Sequence, residues 1–206
     1  KKRLVIYLFN ESYIPGATAV GIKFNDGVLL AAEKRVAHGR FIASKNTNKV
    51  FSISKNTGAA FAGMIGDMQI LTREISAHIK IRELDIKREM APNSIAKLLS
   101  VIMFERRFAP YLTQIILGGI NGKASIYVLD PVGSVIPDEY ASVGSGAEAA
   151  IGVIEAFYKD NMNEEEVKEL AIKAIKAAIE RDAGSGDGID MLIIKKSGSN
   201  KESVKL

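Results

Sequence analysis

Enzyme chemistry needs a nucleophile, a proton carrier or a metal ligand, and this 206-residue chain lacks several of the usual ones. It has no cysteine, which excludes thiol catalysis, cysteine-ligated metals and disulfides and fits a reducing cytosol. Its two histidines, His38 and His78, lie far apart without an acidic cluster beside them. They read as structural or solvent-facing residues rather than metal ligands, so neither a metal nor another cofactor is expected. What remains are hydroxyls, carboxylates and lysines set among glycines. They fall in Gly16-Ala17-Thr18-Ala19-Val20-Gly21, Leu30-Ala31-Ala32-Glu33-Lys34-Arg35 and Asn48-Lys49-Val50, then in Gly144-Ser145-Gly146-Ala147 and Arg181-Asp182-Ala183-Gly184-Ser185-Gly186-Asp187. Taken singly, each has an ordinary structural reading. A lysine at a strand start is usually a solvated charge, Gly-Ser-Gly a turn, and Arg-Asp before Ser-Gly a helix end.

The elements that must position these residues follow from periodicity. Apolar residues are 47% of the chain and charged residues 25%, a mixture that suits one globular domain with a sizeable core. No apolar run is long enough to span a membrane. The net charge of +4 is scattered, without the aromatic-interleaved basic stripe of a nucleic-acid groove. Lys1-Lys2-Arg3 before Leu4 to Phe9 has too short an apolar core for a signal peptide. Ala19–Phe24 and Val28–Ala32 around Asn25-Asp26-Gly27 predict a hairpin. A second hairpin is expected from Lys49–Ile53 through Lys55-Asn56-Thr57-Gly58 to Ala59–Gly63. The returning strands are continuously apolar and should be covered on both faces. Met68, Leu71, Ile75 and Ile79 predict a helix over 67–84. A second helix is expected over 94–108, its broad stripe of Ile95, Leu98, Leu99, Ile102 and Met103 suggesting burial between layers.

Asn121-Gly122 between 114–120 and 123–129 predicts a type I′ hairpin with positive φ at both residues. Two more helices follow, over 147–157 and from Asn163, where Asn163 and Glu166 can form a capping box. A strand over 189–194 leaves Lys195–Leu206 as a polar tail. Blocks of strands alternating with blocks of helices argue for α+β layering, two face-to-face sheets with helices outside.

Assembled in register from Gly16 to Asp190, these segments resemble a proteasome β-type subunit of the archaeal-like 20S core particle. That family consists of N-terminal-nucleophile (Ntn) hydrolases of the threonine peptidase type. The resemblance implies a four-layer αββα sandwich over 17–206, preceded by a propeptide-like extension over 1–16. It also implies autoprocessing between Gly16 and Ala17, with Ala17 at the nucleophile position. Lys49 matches the active-site lysine, Gly63 the oxyanion-hole glycine, and Ser145, Asp182 and Ser185 the supporting set. Glu33 stands where the family usually has aspartate paired with that lysine. Val36, Thr47, Phe51, Phe61 and Ile65 would line the pocket for the residue before the scissile bond. The partners implied are other β subunits, α-ring subunits and unfolded protein substrates delivered by an ATPase. No nucleic acid or membrane is among them, and the implied location is the cytoplasm.

Ala17 is the decisive departure. The family's chemistry needs a hydroxyl to attack the carbonyl and a free α-amine to take the proton. Alanine has no oxygen, and without cleavage the amine stays locked in a peptide bond. Thr18 is no substitute, because strand alternation turns it to the opposite face. The chain is therefore expected to be catalytically silent. Two origins fit Ala17: a naturally non-catalytic β subunit, or a threonine endopeptidase whose nucleophile was replaced. A different Ntn amidase or peptide ligase, or a binding module, is the remaining alternative. The extension carries Leu4, Ile6, Leu8, Phe9, Tyr13 and Ile14, enough apolar surface to dock during assembly.

Overall fold

A computed structural model describes residues 16–206; the extension and its apolar residues up to Pro15 lie outside the described residues. The chain runs β1 (Thr18–Phe24), β2 (Gly27–Glu33), β3 (Val36–His38), β4 (Phe41–Ser44), β5 (Val50–Ser54) and β6 (Thr57–Gly63). Helices α1 (Ile65–Ile86) and α2 (Pro92–Glu105) follow, then β7 (Thr113–Asn121), β8 (Lys123–Leu129), β9 (Ile136–Asp138) and β10 (Tyr140–Gly144). Helices α3 (Ala147–Phe157) and α4 (Glu164–Ile179) lead to β11 (Ile189–Lys195) and β12 (Gly198–Val204). One antiparallel sheet has the order β10-β1-β2-β11-β12, the other β5-β6-β7-β8-β9, and β3-β4 is a separate hairpin.

Three apolar layers hold four structural layers together. Val20, Ile22 and Phe24 of β1, with Leu29 and Ala31 of β2, pack against α3 and α4. The alternate residues Ala19, Val28, Leu30 and Ala32 face the second sheet, where Ala60, Ala62 and Ile116 meet them. On its outer face that sheet packs Ala59, Phe61, Ile115 and Leu117 against Met68, Leu71, Ile75 and Ile79 of α1 and the buried face of α2. Period-two alternation in a strand covered on both sides explains why β2 and β6 are buried at every position. The sheets approach closely because glycines stand at the contact. A methyl on Gly21 would lie 2.6 Å from Ile116 Cγ2, and one on Gly118 2.6 Å from Val28 Cγ1.

The expected αββα sandwich is the observed one, with local corrections. Helix α2 begins at Pro92, which occupies its first turn, where a missing N–H costs nothing. It is an outer helix rather than one between layers, since Val101 and Phe104 are exposed. The second hairpin is tighter than expected, because Thr57 and Gly58 already pair within β6. At Asn121-Gly122 only Gly122 takes a positive φ, 73°, with Asn121 paired to Lys123, so the turn is not type I′. Most of the tail is strand β12. An edge strand pairs on one side only and needs no apolar face, so Gly198–Val204 carries no periodic signal. The capping box forms on both sides: Glu166 N donates to Asn163 Oδ1 (3.1 Å) and Asn163 N to Glu166 Oε2 (2.8 Å).

These contacts predict opposite signs for two glycine substitutions. Gly118→Val overpacks the inter-sheet layer and should lower unfolding free energy in urea by about 1–3 kcal/mol. Gly152→Ala on α3 adds a methyl into open space and should raise it by up to about 1 kcal/mol.

Candidate active site

Antiparallel pairing gathers the glycine-rich segments at one end of the sandwich. Thr18 opposes Gly144 in the β1–β10 ladder, so Ser145 leaves β10 beside Ala17. Ile189 opposes Glu33 in the β11–β2 ladder, so the loop 182–188 enters β11 beside the end of β2. In the second sheet Lys49 precedes β5 and Gly63 ends β6, and Phe61 N donates to Lys49 O (3.0 Å). A methyl on Gly144 would strike the Ala17 carbonyl and lie 2.8 Å from Ala62 Cβ. That close approach brings the end of β6 to the start of β1. Gly144 (φ 101°) and Gly63 (φ 130°) both occupy the region that favours glycine.

Asp182 is the hub of one hydrogen-bond set. Its Oδ2 accepts from Ser145 Oγ and Ser185 Oγ, each at 2.6 Å, and its Oδ1 from Gly184 N at 3.0 Å. Ser145 Oγ in turn accepts the Ala17 N–H at 3.0 Å. Because Ser185 gives its proton to Asp182, the Thr18 hydroxyl, 2.7 Å away, donates to Ser185. Thr18 is fully buried in this contact, on the helix-facing side of β1 and opposite to Ala17, whose methyl joins the inter-sheet core.

Glu33 is the hub of the other. Oε1 accepts from Lys49 Nζ and from Thr18 N (3.3 Å), and Oε2 from Arg35 N (2.7 Å) and Gly186 N (3.1 Å). Lys49 also donates to Arg35 O at 2.6 Å. Both side chains are buried, Lys49 at 1% exposure and Glu33 at 0%. Burial pushes the Lys49 ammonium below the ordinary lysine value, against the pull of Glu33. Burial likewise pushes the Glu33 carboxyl up, opposed by Lys49 and by the Gly186 and Arg35 amides.

Of the residues singled out from sequence, Ala17, Ser145, Asp182 and Ser185 form one connected set and Glu33 with Lys49 the other, joined through Thr18. Gly16 lies against Gly184 and Ser145, and Gly63 lies at the adjoining end of β6. Phe51, Phe61 and Ile65 share the outer apolar cluster beneath α1, the two rings edge-on with centroids 5.6 Å apart. Val36 and Thr47 lie on the connection between the sheets, Thr47 N bonded to Lys34 O (3.0 Å). His38 and His78 are exposed on β3 and α1. Arg35, Gly184 and Gly186 were missed. They act mostly through backbone atoms, which side-chain type does not advertise.

A four-layer αββα sandwich, two antiparallel sheets covered by helices on their outer faces, is the fold of the Ntn-hydrolase class. The family model described as proteasome subunit matches residues 15–194. Proteasome subunit beta 1 of Cenarchaeum symbiosum is 53% identical over 188 residues, 91% of this chain and 97% of that one. Proteasome subunit beta 1 of Nitrosopumilus maritimus is 52% identical over 189 residues, covering 92% and 96%. Proteasome subunit beta 2 of Pyrobaculum calidifontis is 47% identical over 192 residues, covering 93% and 95%. The chain belongs to the proteasome subunit family, as a β-type subunit of the 20S core.

The buried pair gives a direct test of what holds the site. Lys49→Met leaves Glu33 buried without its cation and should cost about 3–5 kcal/mol in urea unfolding. Adding Glu33→Gln removes the stranded charge and should recover part of that loss, a coupling that a double-mutant cycle reads.

Proposed function

We propose that this chain is a ring-forming β subunit whose peptidase site is complete except for its nucleophile, and that it is catalytically silent. The observation that carries this reading is Ala17. It stands just ahead of β1 with its methyl in the inter-sheet core, and its nitrogen is an amide bonded to Gly16 that donates to Ser145. An amide nitrogen accepts no proton, whereas a free α-amine titrates at about 7.7–8.0 and serves as a base near neutral pH. Nucleophile and base are lost together.

With threonine in place of Ala17, the remaining residues have clear tasks. The introduced hydroxyl would attack the Gly16 carbonyl carbon. The C–N bond would break as an ester forms, with the proton passing to the leaving nitrogen. Water would then hydrolyse the ester, leaving a carboxylate on Gly16 and a free amine on the threonine. In peptide cleavage that amine would take the hydroxyl proton. Lys49, its pKa lowered by burial, would hold developing negative charge nearby, and the Gly63 amide would hold the oxyanion. Ser145, Asp182 and Ser185 would orient the amine. Val36, Thr47, Phe51, Phe61 and Ile65 would form the specificity pocket, and its bulky apolar Phe61 favours apolar residues of modest size.

As it stands, the chain's role is to complete a β ring against other β subunits and the α ring. Its particle would work in the cytoplasm on unfolded chains delivered by an ATPase. Exposed Phe41, Ile81, Leu84, Phe104 and Phe108 leave large apolar side chains available to neighbouring subunits. Among the described residues no helix is long and apolar enough to cross a membrane. The intact support set equally fits a chain in which alanine replaced a native threonine, and the parent gene's codon separates the two origins.

Ala17→Thr tests the assignment. Co-assembled with α subunits, this variant should lose residues 1–16 by intact mass and hydrolyse fluorogenic peptides, while the unaltered chain does neither. A fully assembled particle that neither processes nor cleaves would refute the site.

A further inference from the structure

We propose that Gly184 is a positioning residue that seats the uncleaved Gly16–Ala17 junction, an inference that rests on Ala17 being the nucleophile position. The backbones of Gly16 and Gly184 touch. A methyl on Gly16 would lie 2.6 Å from the Gly184 α-carbon and 3.1 Å from Ser145 Oγ, and a methyl on Gly184 would run into Gly16 in turn. Gly184 does not have a positive φ, so glycine is needed there for space and not for backbone freedom.

One carboxylate references both sides of the junction. Asp182 Oδ1 holds the Gly184 N–H at 3.0 Å, which fixes the surface that Gly16 lies on. Asp182 Oδ2 accepts from Ser145 Oγ at 2.6 Å, and Ser145 Oγ accepts the Ala17 N–H at 3.0 Å. On the far side of the loop Ser185 holds Thr18 at 2.7 Å. Three consecutive residues, Gly16 to Thr18, are therefore gripped by one loop and one serine. The Gly16 carbonyl is thereby held in a fixed relation to residue 17. Any side chain at position 184 would push Gly16 off this seat.

Residue-resolved hydrogen exchange on the full chain tests the seat. Gly184→Ala and Gly16→Ala insert a methyl into the same contact from opposite sides, and Gly152→Ala is the control. The Ala17 amide should exchange about tenfold faster in the first two variants and not in the control, with β7 amides accelerated in none of the three. Unchanged Ala17 protection in folded Gly184→Ala overturns the proposal. So does uniform loss of protection along the chain in both junction variants, which would mark the contact as a requirement of the fold. In the Ala17→Thr background, Gly184→Ala should slow release of residues 1–16 on the order of a hundredfold, because a small misplacement of reacting atoms is costly. Equal release rates also overturn it. If Ala17→Thr alone releases nothing, the nucleophile assignment fails, and the exchange measurement still decides whether Gly184 is the seat.

Discussion

Glu33 accepts four N–H donors from four separate places: Lys49 ahead of β5, Thr18 at the start of β1, Arg35 just beyond β2, and Gly186 in the loop before β11. A carboxylate taken out of water is unfavourable unless its lone pairs are filled, so this single group dictates where four chain segments can end. Lys49 comes from the second sheet and the other donors from the first or its loops. The pair consequently pins the sheets together at one end, where apolar layers alone would leave their mutual register loose. Everything placed by that end inherits the constraint, including Ala17, Ser145 and the 182–188 loop.

That constraint explains how an intact-looking site persists around an alanine. Lys49 and Glu33 are each nearly inaccessible to solvent, and deleting one leaves the other as a buried uncompensated charge. Asp182 similarly satisfies two hydroxyls and the amide of its own loop. Residues with such structural duties stay in place whether or not catalysis is required. The side chain of Ala17 has no such duty, because its methyl packs into the inter-sheet core and asks for no hydrogen-bond partner.

How much was legible in sequence followed the same physics. Met68, Leu71, Ile75 and Ile79 announced α1, and all four are buried, because a one-faced helix leaves a strong periodic trace. The capping box was readable since both partners are side chains at fixed spacing. The tail strand β12 and the short strands β3, β4 and β9 were not. Ile136–Asp138 is exposed throughout and Gly198–Val204 largely polar, so each owes its form to a neighbour's backbone. At Asn121-Gly122 the turn was legible but its type was not, because register is set jointly with Thr57 and Asn56 across the sheet.

The site divides along the same line. Lys49, Ser145, Asp182 and Ser185 stood out as side chains in register with a familiar pattern. The Arg35 carbonyl, the Gly186 amide and the space left by Gly184 act through backbone or through the absence of a side chain. A glycine among glycines offers sequence reading no reason to prefer one over another. Only the packed structure separates Gly122, where a positive φ alone favours glycine and the surrounding space is open, from Gly184, where a neighbouring backbone demands it. The distinction matters for chemistry. A residue required by its own φ is a local feature, whereas one required by contact with Gly16 couples the loop to whatever peptide precedes residue 17.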